Sequence, residues 1–212
     1  MSVRAPANRH TGGIVWRDRE VAPATRAAGA DMPAWVQNTL GPGAEAGRSP
    51  VLLISRACRE AIAAHLASAP VELGGLLLGT AWSQTPDDPA APPVLLYVEA
   101  AVPALAAEST GMSLRMDTEL WERAREAAEG RGGIIIGWYH SHPDLGAFFS
   151  RTDRRTQAAV FRHPYSLGLV ADPVRGQERW FLGPRCREIG PAREFAGPPT
   201  SQDQQQDGGE VS

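Results

Sequence analysis

Residues 137–153, GWYHSHPDLGAFFSRTD, decide how the rest of the chain is interpreted. This segment places His140 and His142 two residues apart at the end of an apolar strand, and residues i and i+2 of a strand point to the same side. The two imidazoles are therefore expected to converge on one point, and Pro143 is expected to end the strand. Asp153 follows at the start of the next helix and offers a carboxylate from a second element.

These three side chains are candidate metal ligands. A catalytic zinc is held by three protein ligands, which leave one coordination position open. Two histidines and one carboxylate also suit non-haem Fe(II), so the ligand types alone leave the metal open.

A hydrolytic metal site also needs a proton acceptor and an oxyanion donor. Glu72 stands directly before the apolar strand LGGLLLG, where a charge has no place in the core but can lie at the edge of the sheet. A carboxylate there can take a proton from an activated water and pass it to the leaving amine. Ser150, three residues before Asp153, can donate to the developing oxyanion. The same spacing is typical of a helix capping box, and the two roles are compatible.

Hydrophobic and turn patterns predict a mixed α/β domain, built around one β-sheet flanked by helices. An apolar run is followed by Ser55 as a helix N-cap, and a glycine follows an acidic, helix-favouring segment. The predicted elements are a strand at 51–54, a helix from 55 to about 68, strands at 73–79 and 94–102 joined by a loop at 80–93, a helix at 117–129, a strand at 133–139, a helix at 152–162 and a hairpin of 166–171 with 178–182.

Composition along the chain predicts a single folded domain with flexible termini. Residues 1–49 are rich in Ala, Pro, Gly and Arg and are expected to form a flexible N-terminal arm. Residues 50–191 form the folded domain. Residues 192–212 are polar and rich in Pro, Gly and Gln, so they are expected to be a disordered tail that cannot repay its ordering entropy.

Charge and hydropathy exclude several classes of protein. The net charge of −3 argues against a nucleic-acid partner, which normally requires a basic face. The longest apolar stretches are far shorter than the roughly 20 residues that span a bilayer, so no membrane segment is expected. No apolar h-region follows the N-terminal arginines, and we therefore expect no secretory signal and a cytoplasmic location. Cys58 and Cys186 are too few for a disulfide framework.

The motifs taken in order resemble the JAB1/MPN/Mov34 metalloproteases, also called the JAMM family. The resemblance rests on Glu72 with LGGLLLG, on GWYHSHP at 137–143 and on SRTDRRTQ at 150–157, and covers about residues 50–185. The family pattern is a Glu, then His-x-His-Pro, ten residues and Asp, with a Ser three residues before that Asp. In this chain residues 143–152 are the ten residues between His142 and Asp153, so the spacing is the same as in the family pattern.

The resemblance implies a fold and a set of residue roles. The fold would be of the MPN/JAMM, cytidine-deaminase-like type. His140, His142 and Asp153 would bind one Zn²⁺ per chain, Glu72 would be the general acid/base, and Ser150 would stabilise the tetrahedral intermediate.

The resemblance also implies hydrolysis of an amide or isopeptide bond after the C-terminal glycine of a ubiquitin-like protein. No long insertion follows Asp153, which is typical of the compact prokaryotic branch. Expected substrates are bacterial ubiquitin-like modifiers or sulfur carriers of the ThiS/MoaD type, with E1/E2-like conjugation proteins as further partners. An extended diglycine tail is expected to pair with a sheet edge, where larger side chains are refused.

Two other functions remain open at this stage. A non-catalytic MPN scaffold would bind a ubiquitin-like partner, but such scaffolds typically lack one or more metal ligands, and none is missing here. A 2-His-1-carboxylate oxygenase would require iron and a 2-oxo acid, and the Glu72 motif gives it little support. All 21 basic residues are arginine, which reflects either genomic codon bias or selection against acceptor amines.

Overall fold

The computed structural model describes residues 26–27, 33–40, 49–85, 87–88, 90–104 and 118–196. They form a mixed α/β domain around one sheet, as predicted, and none of the described helices has the length and apolarity to cross a membrane. The strands are β1 (Arg26–Ala27), β2 (Val51–Ser55), β3 (Gly74–Ser83), β4 (Pro93–Pro103), β5 (Ile134–Ser141), β6 (Leu167–Asp172), β7 (Gln177–Leu182), β8 (Arg187–Ile189) and β9 (Arg193–Phe195). The helices are α1 (Ala34–Leu40), α2 (Arg56–Leu66), α3 (Thr118–Glu129) and α4 (Arg151–Val160).

Strand β5 lies in the interior of the sheet, whose order is β8-β7-β6-β5-β3-β4-β2-β9 with β1 paired to β3. It runs antiparallel to β3 and parallel to β6. Gly137 allows β6 to approach closely, because a Cβ at this position would lie 2.1 Å from the carbonyl oxygen of Leu167, its register partner. The carboxyl end of β5 is therefore held by strands on both sides.

The two faces of the sheet carry separate apolar cores. The neighbouring residues Leu76 and Leu77 of β3 point to opposite faces and belong to different cores. Helix α2 packs Ile62 into the core with Leu77, and α3 packs Leu120 into the core with Leu76. Each such fully buried side chain stabilises the fold by about 1.5–3 kcal/mol. The helices and strands that position the site are thus the ones that the hydrophobic pattern predicts.

Strand β3 is longer than the sequence predicts. Residues 80–83 were expected to begin a loop, but they continue the strand and pair with the first half of β4. Trp82 is 2% exposed and lies opposite Leu95 in the register. The prediction of a loop is wrong here because the turn residues begin only after Ser83, and a buried tryptophan requires the strand to continue.

Helix α1 lies within residues 1–49, where a flexible arm was predicted. Its Val36 is fully buried, and Trp35 contacts Trp82 edge-on at 5.4 Å between ring centroids. Trp35 also stacks on Phe195 at 5.2 Å. The described part of the arm is therefore ordered, because these aromatic rings bury one another although they are far apart in the sequence.

Strand β9 similarly lies within residues 192–212, where a disordered tail was predicted. It pairs in parallel with β2, with Leu53 opposite Arg193 and Ser55 opposite Phe195. The segment has too few apolar residues to indicate a strand by its own pattern. Its order comes from the open edge of β2 and from the ring of Trp35.

We predict that Trp35→Ala lowers the free energy of unfolding by about 2 kcal/mol, because truncating a packed aromatic leaves a cavity. Guanidinium denaturation followed by fluorescence or circular dichroism measures this. The control is Val174→Ala, whose side chain is 66% exposed and whose loss should cost less than about 0.5 kcal/mol. Equal stability of the two variants would contradict the packing of α1.

Candidate active site

The two histidines of the His-x-His motif lie where β5 ends. His140 is opposite Gly74 at the start of β3, and the backbone N–H of His142 donates to the carbonyl of Ala171 at 2.8 Å. Their ring centroids are 4.8 Å apart. The two imidazoles therefore lie on the same side of the sheet, as the strand alternation predicts.

The ring of His140 lies flat on Trp138, with 4.6 Å between centroids and 7° between the planes. The indole Nε1 of Trp138 donates to Oε1 of Gln157 at 2.6 Å. The Gln157 amide in turn donates to the carbonyls of Ser166 at 3.1 Å and Gly183 at 3.3 Å. Because Gln157 belongs to α4 and is fully buried, it fixes the helix that carries the predicted carboxylate ligand to the strand that carries the histidines.

Asp153 lies in the first turn of α4, where it forms a capping box with Ser150. The backbone N–H of Ser150 donates to Asp153 Oδ2 at 2.6 Å, and the Asp153 N–H donates to the Ser150 hydroxyl oxygen at 3.2 Å. The capping role that the sequence left open is therefore present. Since the hydroxyl accepts in this bond, its own proton remains able to donate to another group.

Asp153 faces both imidazoles. Its Oδ1 lies 3.4 Å from His140 Nε2, and its Oδ2 lies 3.6 Å from His142 Nε2. One ligand atom from each of the three residues lies within 4.8 Å of the others. Within the described part of the chain, this is the cluster of side chains that could hold a metal ion.

The donor set fits a divalent cation. All three side chains are buried, and both ring nitrogens of His140 and Nδ1 of His142 have no hydrogen-bond partner among the described residues. A buried polar atom without a partner costs about 1–3 kcal/mol. Coordination of a cation by imidazole nitrogen and carboxylate oxygen would offset this cost, and such ligands suit zinc.

The protonation states favour metal binding. Burial acts to raise the pKa of Asp153, but the neighbouring His140 imidazole and the hydrogen bonds from Ser150 outweigh it and lower the pKa to about 2. Burial, together with His140, lowers the pKa of His142. Both residues are thus in the unprotonated form near neutral pH, which is the form that binds a metal.

Glu72 lies beside the three clustered side chains but outside the set. Its Oε1 is 3.6 Å from His142 Nε2, and its side chain is 29% exposed. Burial raises the pKa of Glu72, the His140 imidazole opposes this shift, and the Asp153 carboxylate adds to it. The structure therefore brings the predicted acid/base next to the predicted ligands.

Asp172, at the end of β6, is a residue of this region that the sequence analysis did not single out. Its carboxylate is fully buried and accepts backbone N–H bonds from Asp144 at 3.0 Å, Gly146 at 2.7 Å, Val174 at 3.0 Å and Arg175 at 3.1 Å. These bonds outweigh burial and lower the pKa of Asp172. The residue holds the loop after the second histidine against the β6–β7 turn, a contact that the turn sequence DPVRGQ does not reveal.

The other histidines lie outside the cluster. Nδ1 of His65 is 2.9 Å from the hydroxyl of Tyr139, and His163 stacks on Tyr165 with 5.0 Å between centroids. His10 is outside the described residues. None of these three was predicted to be a ligand.

Several known proteins are similar to this chain. The COP9 signalosome complex subunit 5 of Eremothecium gossypii is 44% identical over 54 residues, which cover 24% of this chain and 13% of the relative. The ubiquitin carboxyl-terminal hydrolase RPN11 of Saccharomyces cerevisiae is 27% identical over 113 residues, or 51% of this chain and 34% of the relative. The chain thus spans about a third or less of the length of these two relatives. The solution structure of a protein from Desulfitobacterium hafniense matches with a TM-score of 0.47 and 25% identity, covering 61% of this chain and 82% of that chain.

The family described as prokaryotic homologs of the JAB domain matches residues 55–183. This range is more than half of the 212 residues and contains Glu72 and the cluster of His140, His142 and Asp153. The JAMM resemblance predicted from the motifs is confirmed, and the chain belongs to the family of prokaryotic homologs of the JAB domain.

Proposed function

We propose that this chain is a zinc-dependent isopeptidase or peptidase that cleaves after the C-terminal glycine of a ubiquitin-like or sulfur-carrier protein. One observation carries the proposal. Ligand atoms of His140, His142 and Asp153 lie within 4.8 Å of one another, and Glu72 stands 3.6 Å from His142 without belonging to the set. A metal with an adjacent unligated carboxylate is the arrangement that hydrolysis requires.

The proposed substrate class is supported by the relatives. One of them is named a ubiquitin carboxyl-terminal hydrolase, and its matched part covers about half of this chain. Apolar side chains exposed near the site also favour a protein substrate over a small molecule. Among the described residues, the exposed large hydrophobic side chains are Val71, Leu145, Phe148 and Val174.

These exposed residues lie on segments that meet at the site. Val71 directly precedes Glu72, and the ring of Phe148 lies 5.0 Å from that of His142. Leu145 and Val174 belong to the loop and the turn that the Asp172 carboxylate holds together.

The diglycine tail of the proposed substrate cannot pair with β5, because β3 and β6 occupy both sides of this strand. The pairing with a sheet edge that the sequence analysis expects is therefore not available at β5.

In the proposed hydrolysis, the metal ligands, Glu72 and Ser150 each have a separate role. His140, His142 and Asp153 would hold the zinc, which would serve as a Lewis acid for the scissile carbonyl and would lower the pKa of a bound water to about 7. Glu72 takes a proton from the attacking water and gives it to the leaving amine, and its raised pKa suits a group that both accepts and returns a proton. The Ser150 hydroxyl, whose oxygen is fixed by the Asp153 N–H, donates a hydrogen bond to the developing oxyanion.

The metal content gives the first prediction of this proposal. Purified protein should contain about one zinc per chain, and Asp153→Asn should lower that content strongly because a neutral amide is a weak ligand. Metal analysis by mass spectrometry measures this. The control is His65→Gln, which changes a histidine outside the cluster and should keep the zinc.

Two results would contradict the metal prediction. If the purified protein contains no zinc and chelators do not affect its binding of a ubiquitin-like partner, a non-catalytic scaffold is favoured. Bound iron with a requirement for a 2-oxo acid would favour an oxygenase.

Glu72→Gln should lower kcat strongly, to a low but measurable rate, while the zinc remains bound. The amide keeps the shape of the side chain but cannot accept the proton, and general acid/base catalysis contributes about 10²–10⁴-fold to the rate. The matched control is Glu99→Gln, which removes the charge of another partly buried glutamate, on β4. Unchanged kcat in Glu72→Gln, measured with zinc-loaded protein, would contradict the assigned role.

Cleavage should occur after the last glycine of a modifier tail. The substrate is a ThiS-type protein that ends in Gly-Gly and is fused through that end to a reporter domain. Replacing the last glycine by valine should lower kcat/KM by at least about 100-fold, because a branched side chain displaces the scissile carbonyl from the catalytic groups. Electrophoresis and mass spectrometry locate the cut. Equal cleavage of both fusions, or a cut elsewhere, would contradict the substrate class.

A further inference from the structure

The pairing of β3 with β5 ends in an unusual rung. Gly74 is opposite His140, and the next pair in this register is Leu73 with Ser141. The Ser141 N–H donates to the Leu73 carbonyl at 2.8 Å, as in a regular antiparallel ladder. The returning bond differs, because the Leu73 N–H donates to the Ser141 hydroxyl oxygen at 3.1 Å. A side chain thus takes the place of the backbone carbonyl in the last rung.

This rung lies directly beside the acid/base. Continuing the same register places Glu72 opposite His142, and Glu72 Oε1 is indeed 3.6 Å from His142 Nε2. The Ser141 hydroxyl also lies 3.5 Å from the carbonyls of Val71 and Leu73, which flank Glu72 in the sequence. The hydroxyl therefore contacts the backbone on both sides of Glu72.

Burial makes the Ser141 hydroxyl necessary as the acceptor for the Leu73 N–H. Ser141 is fully buried, and the Leu73 N–H faces it in the interior of the protein. Without the hydroxyl, that N–H would be buried without an acceptor, and the segment carrying Glu72 would have to shift to reach water or another acceptor. A displacement of about 1 Å between catalytic groups lowers rates by about 100-fold.

We infer that Ser141 is a positioning residue, whose hydroxyl sets the distance between Glu72 and the His-His-Asp cluster by completing the last β3–β5 rung. The inference rests on the proposed hydrolytic function, which it deepens. Ser141 acts through the backbone of Leu73 and does not touch the substrate or the metal.

The test compares Ser141→Thr with Ser141→Val. The two side chains have nearly the same volume, so any strain from the added methyl group is shared and the difference between them reports the hydroxyl. Zinc-loaded Ser141→Val should have a kcat about 10- to 100-fold below that of Ser141→Thr, with a similar KM, because substrate binding is not altered. Equal kcat in the two variants would overturn the inference.

A double variant tests whether the effect passes through Glu72. Adding Ser141→Val to Glu72→Gln should cause no further loss, because the group that it positions is already disabled. An additional loss of the same size as in the single variant would assign Ser141 another role and overturn the inference. Ser83→Ala is the matched control, since Ser83 is a buried serine at the other end of β3 whose hydroxyl accepts the Thr85 N–H at 3.3 Å.

A second readout does not depend on activity. The Leu73 amide should exchange with deuterium about 10-fold faster in Ser141→Val than in Ser141→Thr, while amides in the middle of β3 stay unchanged. Unchanged exchange at Leu73 would overturn the inference whatever the kinetics. If the wild-type chain binds no zinc and cleaves nothing, the proposed function fails, and the catalytic part of this inference fails with it, whereas the exchange result still decides whether Ser141 holds the Glu72 segment.

Discussion

Three buried candidate metal ligands, from a strand end and a helix start, must face one another, although several of the imidazole nitrogens have no hydrogen-bond partner among the described residues. The fold meets this constraint by fixing the backbone around them. Gln157 joins α4 to Trp138, and Trp138 supports the ring of His140 from below. The capping box orients Asp153 at the start of α4. The sheet and the apolar cores that pack on it keep these few contacts in place.

Much of the site could be predicted because it is local. The His-x-His pair needs only the two-residue alternation of a strand, and the Ser150–Asp153 relation needs only the first turn of a helix. Both patterns are readable within a few residues. Glu72 is harder, since it is distant in sequence. Its place directly before the strand LGGLLLG made it a candidate, and the family resemblance implied its acid/base role. The structure brings it to the end of β5 because β3 and β5 are paired in register.

What could not be predicted depends on contacts between distant segments. In the sequence Asp172 resembles an ordinary turn residue. Only the structure shows that its carboxylate accepts hydrogen bonds from the loop after His142. The aromatic packing of Trp35 with Phe195 joins opposite ends of the described chain, so neither segment shows a convincing pattern alone. The prediction that a loop begins after residue 79 was wrong for the same reason, because the burial of Trp82 depends on contacts with β4 and α1.

The proposed hydrolysis requires that the imidazoles of His140 and His142 and the carboxylate of Asp153 hold one divalent ion. X-ray absorption at the zinc edge of the purified full chain tests it most directly. We expect a first coordination shell of nitrogen and oxygen atoms at about 2.0–2.1 Å, with the outer-shell scattering of two imidazole rings. A shell containing sulfur at about 2.3 Å, or scattering from fewer than two imidazoles, would contradict it.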